Sequence, residues 1–173
     1  MVQLLIFFLS FVTAITTLAA PHPTTGLSLV NRISRGHVFS QFGFQLKGQV
    51  ELPWILEATA ADNKEFNLLY GSGRMNLRSE AVSTKMLLDN YVKRFLKDYN
   101  LYGFTVSKIK NGADETTPQI TLEIDQKNKR NKLKQVFILK NQRVLTLTCT
   151  DDEESFERTS HLCQRFIDEI QWL

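Results

Sequence analysis

A short stretch near the end of the chain holds residue types that could do chemistry. Cys149 ends an apolar run, four acidic residues at 151–154 follow it, and His161 and Cys163 lie just beyond. A thiol nucleophile would need a base and an environment that lowers the thiol pKa, whereas the neighbouring carboxylates would raise it. Zinc bound by both cysteines and His161 is equally poor, because positions 161 and 163 lie about 200° apart on a helix. We therefore predict no catalytic residue and no metal in this stretch.

The acidic run is better interpreted as the start of a helix. Thr150 with Glu153, and Asp151 with Glu154, both have the spacing of a capping box. The exposed amide groups and the positive dipole end of a helix favour carboxylates at that position. A divalent cation is the alternative, but the run lacks the spaced oxygen ligands and the glycine of a calcium loop. We predict that the last helix starts at about Asp152.

A second stretch, residues 125–135, is rich in cations and links two predicted strands. Its five basic residues are Lys127, Lys129, Arg130, Lys132 and Lys134. One interpretation is a solvated hairpin tip that discourages pairing of sheet edges. The other is an anion-binding tip for phospholipid headgroups, an acidic partner or polyphosphate. The stretch lacks the interleaved aromatic residues that bind single-stranded nucleic acid, so no nucleic acid partner is expected.

The amino terminus has the pattern of a secretory signal. The first twenty residues carry no charge, and the apolar run from Val2 to about Leu18 leads into small residues. Thr17 and Ala19 fit the two positions that a signal peptidase reads, which places cleavage before Ala20. We predict a signal peptide at 1–19 and an exported protein, periplasmic or secreted. The alternative is an uncleaved membrane anchor, since the run is long enough for a marginal span.

Composition indicates one ordinary domain after this leader. The 173 residues carry 21 basic and 18 acidic side chains, for a net charge of +3, which is too mild to imply nucleic acid. Residues 20–39 are rich in turn formers and are predicted to be a flexible linker. Residues 40–173 have the length and composition of a single globular unit.

The periodicity of residues 40–173 predicts strands, a helix, more strands and a final helix. Strands are expected at 42–48 and 53–60, a hairpin at 65–80 with its turn at 71–73, and a helix over 83–99. Four further strands are expected at 103–109, 119–125, 134–140 and 143–149, before a helix that carries apolar residues as far as Ile170. Six residues are predicted to contribute to the core: Trp54, Phe95, Phe137, Leu147, Phe156 and Phe166. The fold class is α+β, with helices packed on an antiparallel sheet.

The two cysteines are predicted to pair. Leu145, Leu147 and Cys149 share one face of the last predicted strand, and the returning helix should cover that face. Cys163 lies on the apolar stripe of that helix. Because two cysteines in an exported protein are more often paired than free, we predict a disulfide between Cys149 and Cys163. Two reduced, buried cysteines acting as small apolar side chains are the alternative.

Two segments resemble the PsbP-like proteins, which include DcrB-type bacterial envelope proteins and the Ran-binding Mog proteins. They are "FGFQLKGQVELPW" at 42–54 and the strand, acidic turn and helix at 143–173. The resemblance covers roughly residues 40–173 and implies a PsbP/Mog-like α+β domain. It also implies a non-catalytic envelope protein that binds or stabilises another protein. Many bacterial envelope members have a lipobox cysteine, which this chain lacks.

Two functions from different classes follow. The first is the exported, non-catalytic protein with an unidentified protein partner; an anionic membrane surface is a further candidate partner for the basic stretch. The second is a carrier or sensor of a small apolar ligand or lipid, held between sheet and helix. A packed interior would favour the first, and a lined pocket above roughly 300 Å³ the second. No acid, base and nucleophile can be assembled from the sequence, so we expect no enzyme and no cofactor.

Overall fold

A computed structural model describes residues 32–57, 65–112, 116–126 and 130–173. Within these ranges the chain forms ten strands and two α-helices. The strands are β1 (Val38–Phe39), β2 (Phe44–Leu46), β3 (Ile55–Leu56), β4 (Glu65–Tyr70), β5 (Gly73–Ala81), β6 (Phe104–Gly112), β7 (Gln119–Gln126), β8 (Asn131–Lys140), β9 (Arg143–Asp152) and β10 (Ile170–Trp172). The helices are α1 (Leu88–Leu101) and α2 (Phe156–Asp168), with a 3₁₀ turn at Ser40–Phe42. None of the helices in the described ranges is long and apolar enough to cross a membrane.

A seven-stranded antiparallel sheet is the centre of the fold. Its strand order is β3-β4-β5-β9-β8-β7-β6, and a smaller sheet has the order β1-β2-β10. The hairpin between β8 and β9 turns at Asn141 and Gln142, both with positive φ, which matches the twist of the flanking strands. The hairpin between β4 and β5 turns at Gly71 and Ser72, while Gly73 already pairs with Tyr70. The predicted α+β class is confirmed.

Two apolar cores lie on opposite faces of the large sheet, because side chains alternate along each strand. On β8, Val136 and Ile138 belong to one core and Phe137 to the other. The first core is covered by α2 and the small sheet, and we call this side the α2 face. The second is covered by α1 and is called the α1 face. Each face of the large sheet therefore packs against its own helix.

The predicted core is confirmed for five of its six residues. Trp54, Phe137, Leu147 and Phe166 are buried. Phe95 is half-buried and packs against the core of the α1 face, whereas Phe156 is half-buried and belongs to neither core. Phe95 packs against Phe137 with 5.2 Å between ring centroids, and Phe156 is the first residue of α2.

The boundary of the predicted linker needs correction. Residues 20–31 lie outside the described ranges, as does the predicted signal peptide at 1–19. Residues 32–39, however, are part of the fold: Arg32 bridges to Ile55, and Ile33 and Phe39 are buried. The ring of Phe39 contacts Phe166, with 5.9 Å between their centroids. The sequence prediction missed Ile33 and Phe39 as core residues because turn-forming residues lie close to them in the sequence.

The end of the last helix also differs from the prediction. Helix α2 ends at Asp168, and residues Ile170–Trp172 form β10, which pairs with β2. Ile170 continues the helical spacing of apolar residues, but its partner in the structure is Leu46 across the small sheet. Local periodicity cannot distinguish these outcomes, since the pairing joins segments at opposite ends of the sequence.

Candidate functional site

The two cysteines form a structural disulfide. Cys149 in β9 is bonded to Cys163 in α2, with 6.5 Å between their Cα atoms, which confirms the predicted pair. Both side chains are fully buried in the core of the α2 face. The bond therefore fixes α2 against the sheet.

The acidic run does not form the predicted capping box. Strand β9 extends to Asp152, because β8 pairs with it as far as Asn131. Helix α2 begins only at Phe156, and the side chain of its N-cap residue, Ser155, makes no capping hydrogen bond to the described part of the chain. Asp152 Oδ1 instead accepts a hydrogen bond of 2.8 Å from the amide of Ser155.

The first of these carboxylates, Asp151, has a separate structural role. It is buried, and its Oδ2 accepts a hydrogen bond of 2.6 Å from the hydroxyl of Thr159 in α2. The acidic run thus connects strand to helix, but through side-chain contacts other than a capping box.

The predicted basic tip is shorter than expected. Lys127 and Lys129 lie outside the described residues, and Arg130 is exposed just before β8. Lys132 already lies in β8 and pairs with Glu153, with 3.0 Å between Nζ and Oε1. Lys134 is 8% exposed and is not part of a tip. Anion binding by the tip stays a prediction, without Lys134 as a member.

The most open part of the described sheet is strand β6. One edge of the sheet is β3, which has two residues, whereas the other edge is β6, which has nine. Among the described strands, β6 pairs only with β7, and an irregularity between Val106 and Lys108 shifts the register. Most of its side chains are exposed, including Ile109 at 54%. A long exposed edge of this kind can accept another strand.

A surface cleft lies between the end of α1 and the beginning of β6, on the α1 face. Its volume is about 500 Å³, and it is lined by Leu96, Asn100, Gly103, Phe104, Thr105 and Val106. Leu101 and Tyr102, which stand in the chain between two lining residues, are 74% and 75% exposed. Large apolar side chains this exposed are typical of binding surfaces when they lie together.

A smaller polar groove lies beside β6 on the α2 face. Its volume is about 210 Å³. Its lining residues come from β6, β7, β8 and α2: Lys110, Asn111, Gly112, Gln119, Thr121, Glu123, Lys134 and Gln164. Strand β6 therefore has an opening on each of its faces, the cleft and the groove.

Neither opening was predicted from the sequence, although one signal was present. Leu101 and Tyr102 follow the predicted end of the first helix, so they fall outside its apolar stripe. Apolar residues beyond the end of a stripe have no assigned place in the core. The groove had no comparable signal, because its residues come from separate elements.

Comparison with known proteins supports the fold. No family model and no curated protein matches the chain. The solution structure of cyanobacterial PsbP (CyanoP) from Synechocystis sp. PCC 6803 is similar, with a TM-score of 0.56 and 10% sequence identity, and covers 78% of this chain and 89% of that chain. The crystal structure of PA94 from Pseudomonas aeruginosa, a protein of unknown function, has a TM-score of 0.49 and 18% identity, over 58% of this chain and 76% of that one. The chain is therefore an α+β protein with an architecture similar to the PsbP fold.

Proposed function

We propose that this protein is exported and non-catalytic, and that it binds a protein partner through strand β6 and the neighbouring end of α1. The observation that carries the proposal is the open nine-residue edge with exposed apolar residues beside it. Other parts of the described surface expose single apolar residues, such as Val38 and Leu87. Only here do such residues adjoin a long strand edge within the described ranges.

Strand addition is the mode of binding that this edge favours. An extended segment of a partner would continue the antiparallel sheet through backbone hydrogen bonds, and pockets beside the edge would accept its side chains. The cleft provides an apolar wall through Leu96, Phe104 and Val106. Leu101 and Tyr102 would then pack against the partner, and tyrosine is enriched at such interfaces.

Export is supported by two observations. The uncharged apolar run at the amino terminus has the form of a secretory leader. The buried disulfide between Cys149 and Cys163 belongs to a bond type that persists in oxidising compartments.

Site-specific photo-crosslinking in the native host tests the proposal. A photoreactive amino acid at Ile109 should capture a discrete partner, whereas the same group at Leu87, at the opposite end of α1, should capture none. Leu101→Asp together with Tyr102→Asp should abolish the Ile109 product, and Leu87→Asp is the matched control that should retain it. No product at Ile109, or equal products at both positions, would contradict partner binding at β6.

A second function, binding of a small apolar ligand, is favoured by the volume of the cleft. About 500 Å³ exceeds the roughly 300 Å³ at which small-molecule sites begin, although the cleft is open to solvent at the end of α1 and is not an interior cavity. Native mass spectrometry of the protein from its host tests this. A bound small molecule that disappears in Leu96→Trp, which fills the cleft, would favour a carrier over a partner-binding protein.

A further inference from the structure

Lys134 lies in an unusual place for a lysine. It stands opposite Glu123 of β7 and opposite Cys149 of β9 in the antiparallel ladders. Residues opposite each other on neighbouring strands share one face of the sheet. Because Cys149 is bonded to α2, the side chain of Lys134 lies on the α2 face, beneath the helix. Only 8% of the residue is exposed.

The ammonium group of Lys134 has a neutral hydrogen-bond partner. It donates to Gln164 Oε1 at 2.9 Å, which uses one of its three donors. Within the described residues, no carboxylate lies within 4 Å of it. Glu123 is paired with Lys108 at 3.9 Å, and Asp168 accepts a hydrogen bond of 2.9 Å from Gln164.

This environment disfavours the charged form of Lys134. Its pKa is lowered, chiefly by burial and also by the nearby charge of Lys110, while Glu123 and Asp168 act in the opposite direction. A buried cation is costly unless an anion or several hydrogen bonds compensate it. The groove opens beside this cation.

The lining of the groove suits an anion. Lys110 supplies a second cation, and Gln119 and Thr121, whose partners on β8 belong to the core of the α2 face, supply an amide and a hydroxyl group that can donate hydrogen bonds. The one lining carboxylate, Glu123, is paired with Lys108 outside the groove lining. The balance of charge facing the groove is therefore positive.

The volume limits the size of the ligand. About 210 Å³ corresponds to roughly seven waters at about 30 Å³ each, which is below the range for drug-sized ligands. Inorganic phosphate or a four-carbon dicarboxylate would fit in this space. Hydrogen bonds between such an oxyanion and an ammonium are short and strong when water is excluded.

We propose that the groove between α2 and the strands β6, β7 and β8 binds a small oxyanion, either a phosphate or a carboxylate, with Lys134 and Lys110 as its cationic ligands. The site shares strand β6 with the proposed partner-binding edge, through Lys110, but its buried cation lies beneath α2. Gln164 orients the ammonium of Lys134 toward the ligand. The disulfide holds this helix in place, because Cys163 precedes Gln164 in α2.

Titration with defined anions tests the proposal. Inorganic phosphate and succinate are added separately to the oxidised protein at constant ionic strength set with sodium chloride, and binding is followed by NMR and calorimetry. At least one of the two should bind, with shifts centred on Lys134 and Gln164, and the preferred anion distinguishes phosphate from carboxylate recognition. The bound anion should also raise the pKa of the Lys134 ammonium, because a nearby negative charge favours the protonated form.

Lys134→Met should weaken binding at least tenfold, and Lys110→Met at least threefold. Lys93→Met is the matched control, because Lys93 is exposed on α1 at the other face, and it should bind like the wild type. If Lys134→Met does not fold, Lys110→Met decides, since the Lys110 side chain is exposed. Absence of binding to either anion, or equal binding by the wild type and the folded variants, would overturn the proposal. Tighter binding of a hexaglutamate peptide than of both anions would also overturn it and indicate a protein surface instead.

Discussion

The two faces of the large sheet are covered by different elements. The α2 face is covered by a cross-linked helix and by the small sheet, and its aromatic rings from β1, β2 and α2 pack together. The α1 face is covered by one helix, with no cross-link among the described residues, and leaves a cleft of about 500 Å³. From this comparison we expect the α2 face to contribute more to stability than the α1 face, which leaves an open cleft beside β6.

The largest effect is expected from removing Phe166 of the α2 face. Phe166 is fully buried and contacts Phe39 and Phe44, so Phe166→Ala should lower the free energy of unfolding by about 3–5 kcal/mol. Phe95→Ala on the α1 face should cost less, because Phe95 is only half-buried. Urea denaturation of both variants measures the difference. Equal losses would remove the distinction between the faces, and a loss below about 1 kcal/mol for Phe166→Ala would make α2 peripheral.

Reduction of the disulfide should have the next largest effect. The bond joins residues 14 positions apart, and a loop of about 15 residues contributes about 3 kcal/mol in the chain-entropy model. The melting temperature should fall when reductant is added, while Cys149→Ala with Cys163→Ala should be insensitive to it. Unfolded, unreduced protein should show no free thiol. Two titratable thiols in the protein from its native host would contradict the bond.

A methyl group at Gly73 should reveal how closely β5 and α2 approach. A Cβ there would lie 2.6 Å from Thr159 Oγ1 and 3.1 Å from Asp151 Oδ2, so Gly73→Ala should cost about 1–3 kcal/mol. Thr159→Ala removes the two nearest of these atoms, Oγ1 and Cγ2, although it leaves Asp151 Oδ2 in place and removes the hydrogen bond to Asp151. The double variant should therefore lose less stability than the sum of the two single variants. If the stability losses of the two single variants simply add in the double variant, α2 moves aside without strain.

The smallest effect is expected from Tyr91 on the α1 face. Its hydroxyl donates to Glu80 Oε2 at 2.7 Å, so Tyr91→Phe should cost about 1 kcal/mol. Burial, together with the hydrogen bond and charge of Glu80, raises the pKa of Tyr91 to about 12. The unfolded phenol ionises near its ordinary pKa of 10.0, so this contribution to stability is complete below that pH and is lost as the pH rises toward 12.

The pH dependence provides the measurement for Tyr91. The free energy of unfolding of the wild type should fall more steeply between pH 10 and 12 than that of Tyr91→Phe. Parallel curves for the two proteins would contradict a buried phenol bonded to Glu80.

Sequence patterns predicted the elements whose signals are local. The alternation of Ile120, Leu122 and Ile124 marks β7, and the Asn141-Gln142 pair marks the turn between β8 and β9. Strand ends were predicted less well, because they depend on a neighbour. Strand β9 continues to Asp152 only because Asn131 of β8 lies opposite it. Strand β10 was missed for the same reason, since its partner is β2.

The same distinction, between local signals and signals that depend on distant segments, applies to the candidate sites. The disulfide was predicted, because both cysteines lie on apolar faces that must meet in a sheet covered by a helix. Lys134 was predicted both as the first residue of a strand at 134–140 and as a member of the basic tip, and only the strand prediction agrees with its position in β8. The groove around it depends on four elements, so no single stretch of sequence could reveal it.

The pairing of β5 with β9 also has a consequence for the order of folding. Strands β6 to β9 form a meander of neighbouring hairpins. Ala81 of β5, in contrast, pairs with Arg143 of β9, and α1 and strands β6 to β8 lie between these two residues in the sequence. Closing so long a loop costs more chain entropy than forming a hairpin. We expect the meander to form first and to provide, in β9, the template on which the β4–β5 hairpin docks. Pulse-labelling hydrogen exchange should then protect amides of β7 and β8 before those of β4.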